Sequence, residues 1–238
     1  MDEWVEHLAE LRRRIIAVLV VFFAATVAAF YFSSHIAAFL TAPLDVFNVK
    51  LYTFAPAEKF LAYMRLSAWT GAVFTAPFFC LQAGLFLWPG LRGNEYRYAL
   101  AILFVVPVLF LVGAGLCYRF MAPFVFEFFL SFGSGDGVES LWNLREYLAL
   151  LFGLMIATGL LLQLPLGFLA LIVTGVVSVE RIAHYRSHII FLNFLLAALL
   201  TPPDVASQIM LAVPLCILFE GALWLGKLLR RSKSHSSM

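Results

Sequence analysis

The sequence predicts an all-α integral membrane protein of six transmembrane helices, kinked and concave, with the last two short and both termini inside. Three observations carry this: an extreme apolar composition, long unbroken apolar runs, and a lopsided placement of basic residues. Of 238 residues, 63% are hydrophobic and 13% charged, and the mean hydropathy is +0.95. Ordinary soluble domains are about 45–50% apolar and about 25% charged. A globule of this length has too little interior for so much apolar surface, so lipid must solvate the rest. The formal net charge of +2 excludes the basic footprint of a nucleic-acid binder.

The apolar runs are Ile15–Phe32, Leu66–Trp88, Ala99–Phe120, Tyr147–Val177, Ile189–Leu200 and Val205–Leu225. They are continuous rather than alternating, which selects helices over barrel strands. A crossing needs about 20 residues, and the fifth run has 12. The sixth carries Pro214 and Glu220. The last pair is therefore expected as a short hairpin turning at Thr201-Pro202-Pro203-Asp204, packed on longer helices or thinning the bilayer. Pro77, Pro107, Pro165 and Pro214 each remove a backbone donor and loosen a helix, which predicts the concave shape. The loops Ser33–Arg65 and Met121–Glu146 are long, and Phe-rich Met121–Phe132 reads as a helix lying at the outer surface. One membrane domain is expected over residues 1–231, with 232–238 a disordered or appended tail. The first apolar run lacks the small-residue exit of a cleaved leader.

All 16 Lys and Arg residues bear on orientation. Arg12, Arg13, Arg14, Arg92, Arg97, Arg181, Arg186, Lys227, Arg230, Arg231 and Lys233 flank one side. Lys50, Lys59, Arg65, Arg119 and Arg145 flank the other. The richer side is cytoplasmic.

Within this frame, Trp4, Leu8, Leu11 and Ile15 form one helical stripe, and Glu6, Glu10 and Arg14 another face at i+4 spacing. This reads as an interfacial helix with surface ion pairs. Glu95 precedes the third span, where a carboxylate favours a helix N-terminus. Taken together, Glu10 and Glu95 fall on the same membrane face, near the ends of spans one and two. Two carboxylates at a partly dehydrated interface suit two guanidinium groups. Inside the spans, Gln163 either caps carbonyls freed by Pro165 or serves a partner. Glu220 either snorkels, pairs with a base, or does the same; Gln208 lies near the outer end of the sixth span. Cys80, Cys117 and Cys216 read as small buried hydrophobes. His184 and His188 make a poor metal site. No nucleophile–base pair, H-E-x-x-H or P-loop is present, so no enzyme, metal or cofactor is expected.

These residues resemble the TatC family, the polytopic core of the twin-arginine protein translocase. His7-Leu8-Ala9-Glu10-Leu11-Arg12-Arg13-Arg14 resembles its opening motif, and Pro89-Gly90-Leu91 with Glu95 its first cytoplasmic loop. Phe152-Gly153 with Gln163-Leu164-Pro165 is similar to its fourth span. Thr201-Pro202-Pro203-Asp204 with Ser207-Gln208, Pro214 and Glu220 resembles its close. The resemblance implies a signal-peptide receptor in the prokaryotic cytoplasmic (inner) membrane that exports folded proteins with the proton-motive force. The implied partners are twin-arginine signal peptides and single-span TatA/TatB-type subunits, in an oligomeric complex. It implies that Glu10 and Glu95 hold the paired arginines, with Arg12 and Phe86 beside them. It places Gln163, Gln208 and Glu220 at intramembrane polar positions toward partner subunits. Gln163 stands where the family often has Glu, and glutamine cannot carry a proton. The alternative is a proton-coupled secondary transporter with a midplane site at Gln163 and Glu220.

Overall fold

The computed structural model describes residues 2–87, 95–132, 141–201, 203 and 205–235, with side chains for all of these except 2–6, 87, 95–100, 102 and 230–235. Helices dominate. Five segments are long and apolar enough to cross a membrane: His7–Tyr31, Pro56–Phe86, Leu103–Phe132, Leu144–Val173 and Val205–Leu229. The remaining apolar helix, Arg186–Leu200, has 15 residues, short as the sequence predicts. The last one differs from expectation, because α10 (Val205–His235) runs 31 residues with Pro214 inside it. Its expected shortness rested on Pro214 and Glu220. The helix tolerates the proline, and the carboxylate has a basic partner.

The chain divides into two compact units. The first comprises residues 1–96 and 138–152, the second residues 97–137 and 153–238.

In the first unit, α1 (Asp2–Tyr31) packs along α3 (Pro56–Leu87), with α2 (Ser33–Asp45) between them in sequence. Their contacts run antiparallel. His7 stacks on Phe86, Arg14 bonds Gln82, Thr26 meets Gly71, and Phe30 meets Phe60 edge-on. Gly71 permits the closest approach, since a Cβ there would lie 2.9 Å from both Cα and N of Thr26. In lipid, helices associate through such small-residue contacts, because apolar burial between them brings little.

The end of this unit opposite His7 is tied by hydrogen bonds. Strands β1 (Leu51–Tyr52) and β2 (Trp142–Asn143) pair in parallel, Leu51 against Trp142. Glu58, at the third position of α3, reaches back to accept from the N–H of Phe54 (2.7 Å) and of Ala55 (3.4 Å), the reciprocal half of a capping box. Its other oxygen accepts from Asn143 Nδ2 at 2.7 Å. Asn143 Oδ1 in turn accepts from the N–H of Arg145 at 2.7 Å and of Glu146 at 3.3 Å, capping α6 (Leu144–Leu161). One side chain thus serves the N-termini of two helices. We expect Asn143→Ala to lower stability by about 1–2 kcal/mol, read by thermal unfolding in detergent. No change in Tm would show both caps to be redundant.

In the second unit, α4 (Glu95–Leu116) passes through a π-helical turn, Cys117–Met121, into α5 (Ala122–Phe132) without leaving the helix. The separate surface helix expected at Met121–Phe132 is therefore the continuation of a span. Ala122, Val125 and Phe126 are buried on it. Cys117, Met121 and Val125 join Leu154, Leu162, Ala197, Leu211 and Leu215 in one core. α7 (Leu164–Val173) follows α6 after a break, and Gly175, at φ +78°, ends it in the left-handed region open to glycine. Next come α8 (Val179–His184), capped by Ser178 Oγ, and α9 (Arg186–Leu200). A second core gathers Ile172, Val179, Ile182, Phe219 and Leu223.

Candidate functional site

Glu10 and Arg14 lie one turn apart on α1, so their side chains meet. Arg14 donates twice to the same carboxylate oxygen, Nε at 3.0 Å and Nη2 at 2.5 Å from Glu10 Oε1. Its remaining arm, Nη1, donates to Gln82 Oε1 on α3 at 2.9 Å. The pair is half-buried, with the Arg14 side chain 21% exposed and that of Glu10 39%. These groups line a cleft of about 530 Å³ together with Ala9, Arg13 and Ala17. A second groove of about 400 Å³ shares Arg14 and Gln82 with it, and is otherwise apolar, including Leu11, Ile15, Leu19, Phe79 and Phe86. A carboxylate in a cleft that adjoins an apolar trough through Arg14 and Gln82 is suited to a cation followed by a hydrophobic chain.

The structure distributes the expected site residues unevenly. Phe86 lies in the apolar groove and stacks on His7, ring centroids 4.3 Å apart at 22°. Arg12 is exposed. Two residues along a helix rotate a side chain by about 200°, which turns Arg12 away from Glu10. The backbone of α4 opens at Glu95, but the side chain of Glu95, and with it the expected pairing with Glu10, lies outside the described residues, as does the loop 88–94. Gln82 was not anticipated. Its signal was present as a single amide within the run Leu66–Trp88.

The intramembrane polar residues belong to the second unit, and each has separate surroundings. Gln163 sits at the break between α6 and α7. Pro165 has no N–H to continue the ladder. The backbone compensates with Gln163 N–H donating to Leu160 O and Gly167 N–H to Gln163 O, each at 3.0 Å. The half-buried Gln163 amide makes no hydrogen bond among the described residues, so it does not cap the freed carbonyls. Gln208 Nε2 donates to Phe194 O at 3.2 Å, tying the start of α10 to α9. Glu220 pairs with Arg186, Oε1 to Nε at 2.6 Å, which is the base-paired alternative.

Comparison with known proteins decides the family. The family model described as Sec-independent protein translocase protein (TatC) matches residues 6–214. The chain belongs to the TatC family. Among curated relatives, a TatC of Magnetococcus marinus is 38% identical, over 97% of this chain and 86% of its own length. One of Rickettsia prowazekii is 34% identical, over 90% and 88% respectively. A crystal structure of the twin-arginine translocase receptor TatC superposes with a TM-score of 0.73 at 28% identity, covering 92% of this chain and 99% of that one. A second superposes with a TM-score of 0.72 at 30% identity, covering 94% and 99%. The family resemblance read from the four motifs is thereby shown, and with it a helical, multi-pass protein translocase subunit rather than a member of a known enzyme family. The secondary-transporter alternative finds no support among these relatives.

Proposed function

We propose that this TatC-family protein is the signal-peptide receptor and core subunit of a twin-arginine translocase, acting by recognition rather than catalysis. The observation that carries the reading is the half-exposed Glu10 carboxylate in a cleft that shares Arg14 and Gln82 with the apolar groove between α1 and α3. An arginine of a signal peptide docks on Glu10, and its neighbour docks on Glu95. The peptide's apolar segment follows the groove past Leu11 and Phe86. The basic flanks support an orientation with both termini and this site on the cytoplasmic side, in a prokaryotic inner membrane crossed six times. The Gln163 amide, without a hydrogen-bond partner among the described residues, and the short α9 offer a seat for single-span TatA/TatB-type subunits, since a lone polar group in lipid seeks a hydrogen bond from a neighbouring helix. These subunits and further copies complete an oligomeric translocase powered by the proton-motive force.

The test is binding of a fluorescent peptide, Arg-Arg followed by an apolar segment, to the full chain in nanodiscs. Glu10→Gln and Glu95→Gln are each expected to weaken it about tenfold or more, because each removes a charge-assisted contact. Unchanged affinity in both variants, with the fold intact by thermal unfolding, rules the docking site out.

A further inference from the structure

We propose that Arg14 is an internal competitor for Glu10, a resident guanidinium that the docking peptide must displace and that returns when the peptide leaves. The inference deepens the docking reading above and rests on it. Within the chain itself, Glu10 is already engaged. Arg14 places two donors on its Oε1, and the third arm is seated on Gln82 Oε1. This is the chemistry proposed for the incoming arginine, supplied from within the chain.

Whichever way the peptide enters, Arg14 opposes it. If the peptide guanidinium takes Oε1, the contacts it gains replace contacts the protein loses. If it takes the other oxygen, it lies beside a second guanidinium of like charge. Either way the apparent affinity falls below the intrinsic one, as it does whenever the competent state must first be freed.

The burial suits an exchange. A fully exposed pair would be too weak to compete, and a fully buried pair would resist opening. Here the side chains are 21% and 39% exposed. Gln82 gives the displaced arginine an anchor on α3, so it remains close enough to recapture Glu10. A receptor that must pass its cargo onward gains from this arrangement, since recapture speeds release.

The test uses the full chain in nanodiscs and the same Arg-Arg peptide, with affinity and dissociation rate measured together. Arg14→Met is expected to raise the affinity roughly tenfold, mainly through slower dissociation. Gln82→Leu, which leaves Glu10 and Arg14 in place but removes the anchor that favours the resting geometry, is expected to raise it by a smaller factor. It also decides the matter should Arg14→Met fail to fold. A residue that merely held the fold together, or oriented Glu10 for the peptide, would lower affinity on removal. Unchanged or weaker binding in the folded variants therefore overturns the competitor. Glu10→Gln separates the two ideas. If it and Glu95→Gln both leave peptide binding intact, the docking reading itself fails. If it weakens binding while Arg14→Met does not strengthen it, only the competitor is lost.

Discussion

Gly71→Leu is expected to separate α1 from α3 and abolish peptide binding. A Cβ at Gly71 would lie 2.3 Å from Thr26 Oγ1 and 2.9 Å from the Cα and N of Thr26. A hydroxyl can rotate away, but the backbone of α1 cannot. Even Gly71→Ala therefore pushes the helices apart, at about 1–3 kcal/mol for overpacking, and leucine costs more. The damage reaches the candidate site because α1 and α3 pack as one pair along their length. About 18 Å along α1 from Thr26 lies Arg14, whose bond to Gln82 depends on the same helix pairing. Thr26→Ala is the informative companion. It removes the nearest atom, which is also a buried hydroxyl without a hydrogen-bond partner among the described residues, so alone it is neutral or stabilising. Combined with Gly71→Ala it should recover part of the loss. With Gly71→Leu it should recover little, since the backbone atoms remain in the way. Thermal unfolding in detergent and peptide binding in nanodiscs measure both effects. A Gly71→Leu protein with normal Tm and affinity would show that this crossing does not hold the site.

The family was legible from its four motifs, and the membrane character and most helix positions because lipid imposes a simple rule. A spanning helix must be apolar over its length, and composition alone records that. The i+4 placement of Glu10 and Arg14 was legible for the same kind of reason, a local period. What depended on neighbouring helices was not. Gln82 is one amide in an apolar run until α3 lies against α1. Gly71 carries no mark distinguishing it from Gly115, beside which a Cβ would meet nothing within 4 Å. Prolines were legible in part. Pro165 breaks α6 from α7 within the single apolar segment Leu144–Val173, the loosening expected of it, while Pro214, expected to curtail the last span, lies inside 31 continuous helical residues. The π-helical turn at Cys117–Met121 has no sequence signature, so the apolar stretch after it read as a separate element.

The second unit rests on a close contact made wholly of backbone atoms, and Gly113→Leu should expose it. A Cβ at Gly113 would meet Gly159 Cα at 2.8 Å, Thr158 O at 3.1 Å and Gly159 N at 3.2 Å, all of them backbone atoms of α6. Gly159 is equally constrained, since its own Cβ would lie 2.7 Å from the ring of Phe110. No rotamer change relieves the first clash, so α4 must move off α6 as a body. That movement strains the neighbouring bond from Thr158 Oγ1 to Met121 Sδ and opens the core around Cys117 and Leu162. The helix break that presents Gln163 begins one turn beyond Gly159, so the proposed seat for a single-span partner shifts with it. Gly113→Leu is therefore expected to cost upwards of about 3 kcal/mol, at or beyond the top of the overpacking range, and to lower capture of a TatA/TatB-type span in bicelles. Gly115→Leu, two residues along the same helix with open space around it, is expected to be near neutral in both measurements. Apolar burial alone would predict the two leucines to behave alike, since both add the same side chain to one helix in the same lipid. A large difference between them is what backbone-to-backbone packing requires, and equal behaviour would remove that packing as the hold on α4 and on the Gln163 seat.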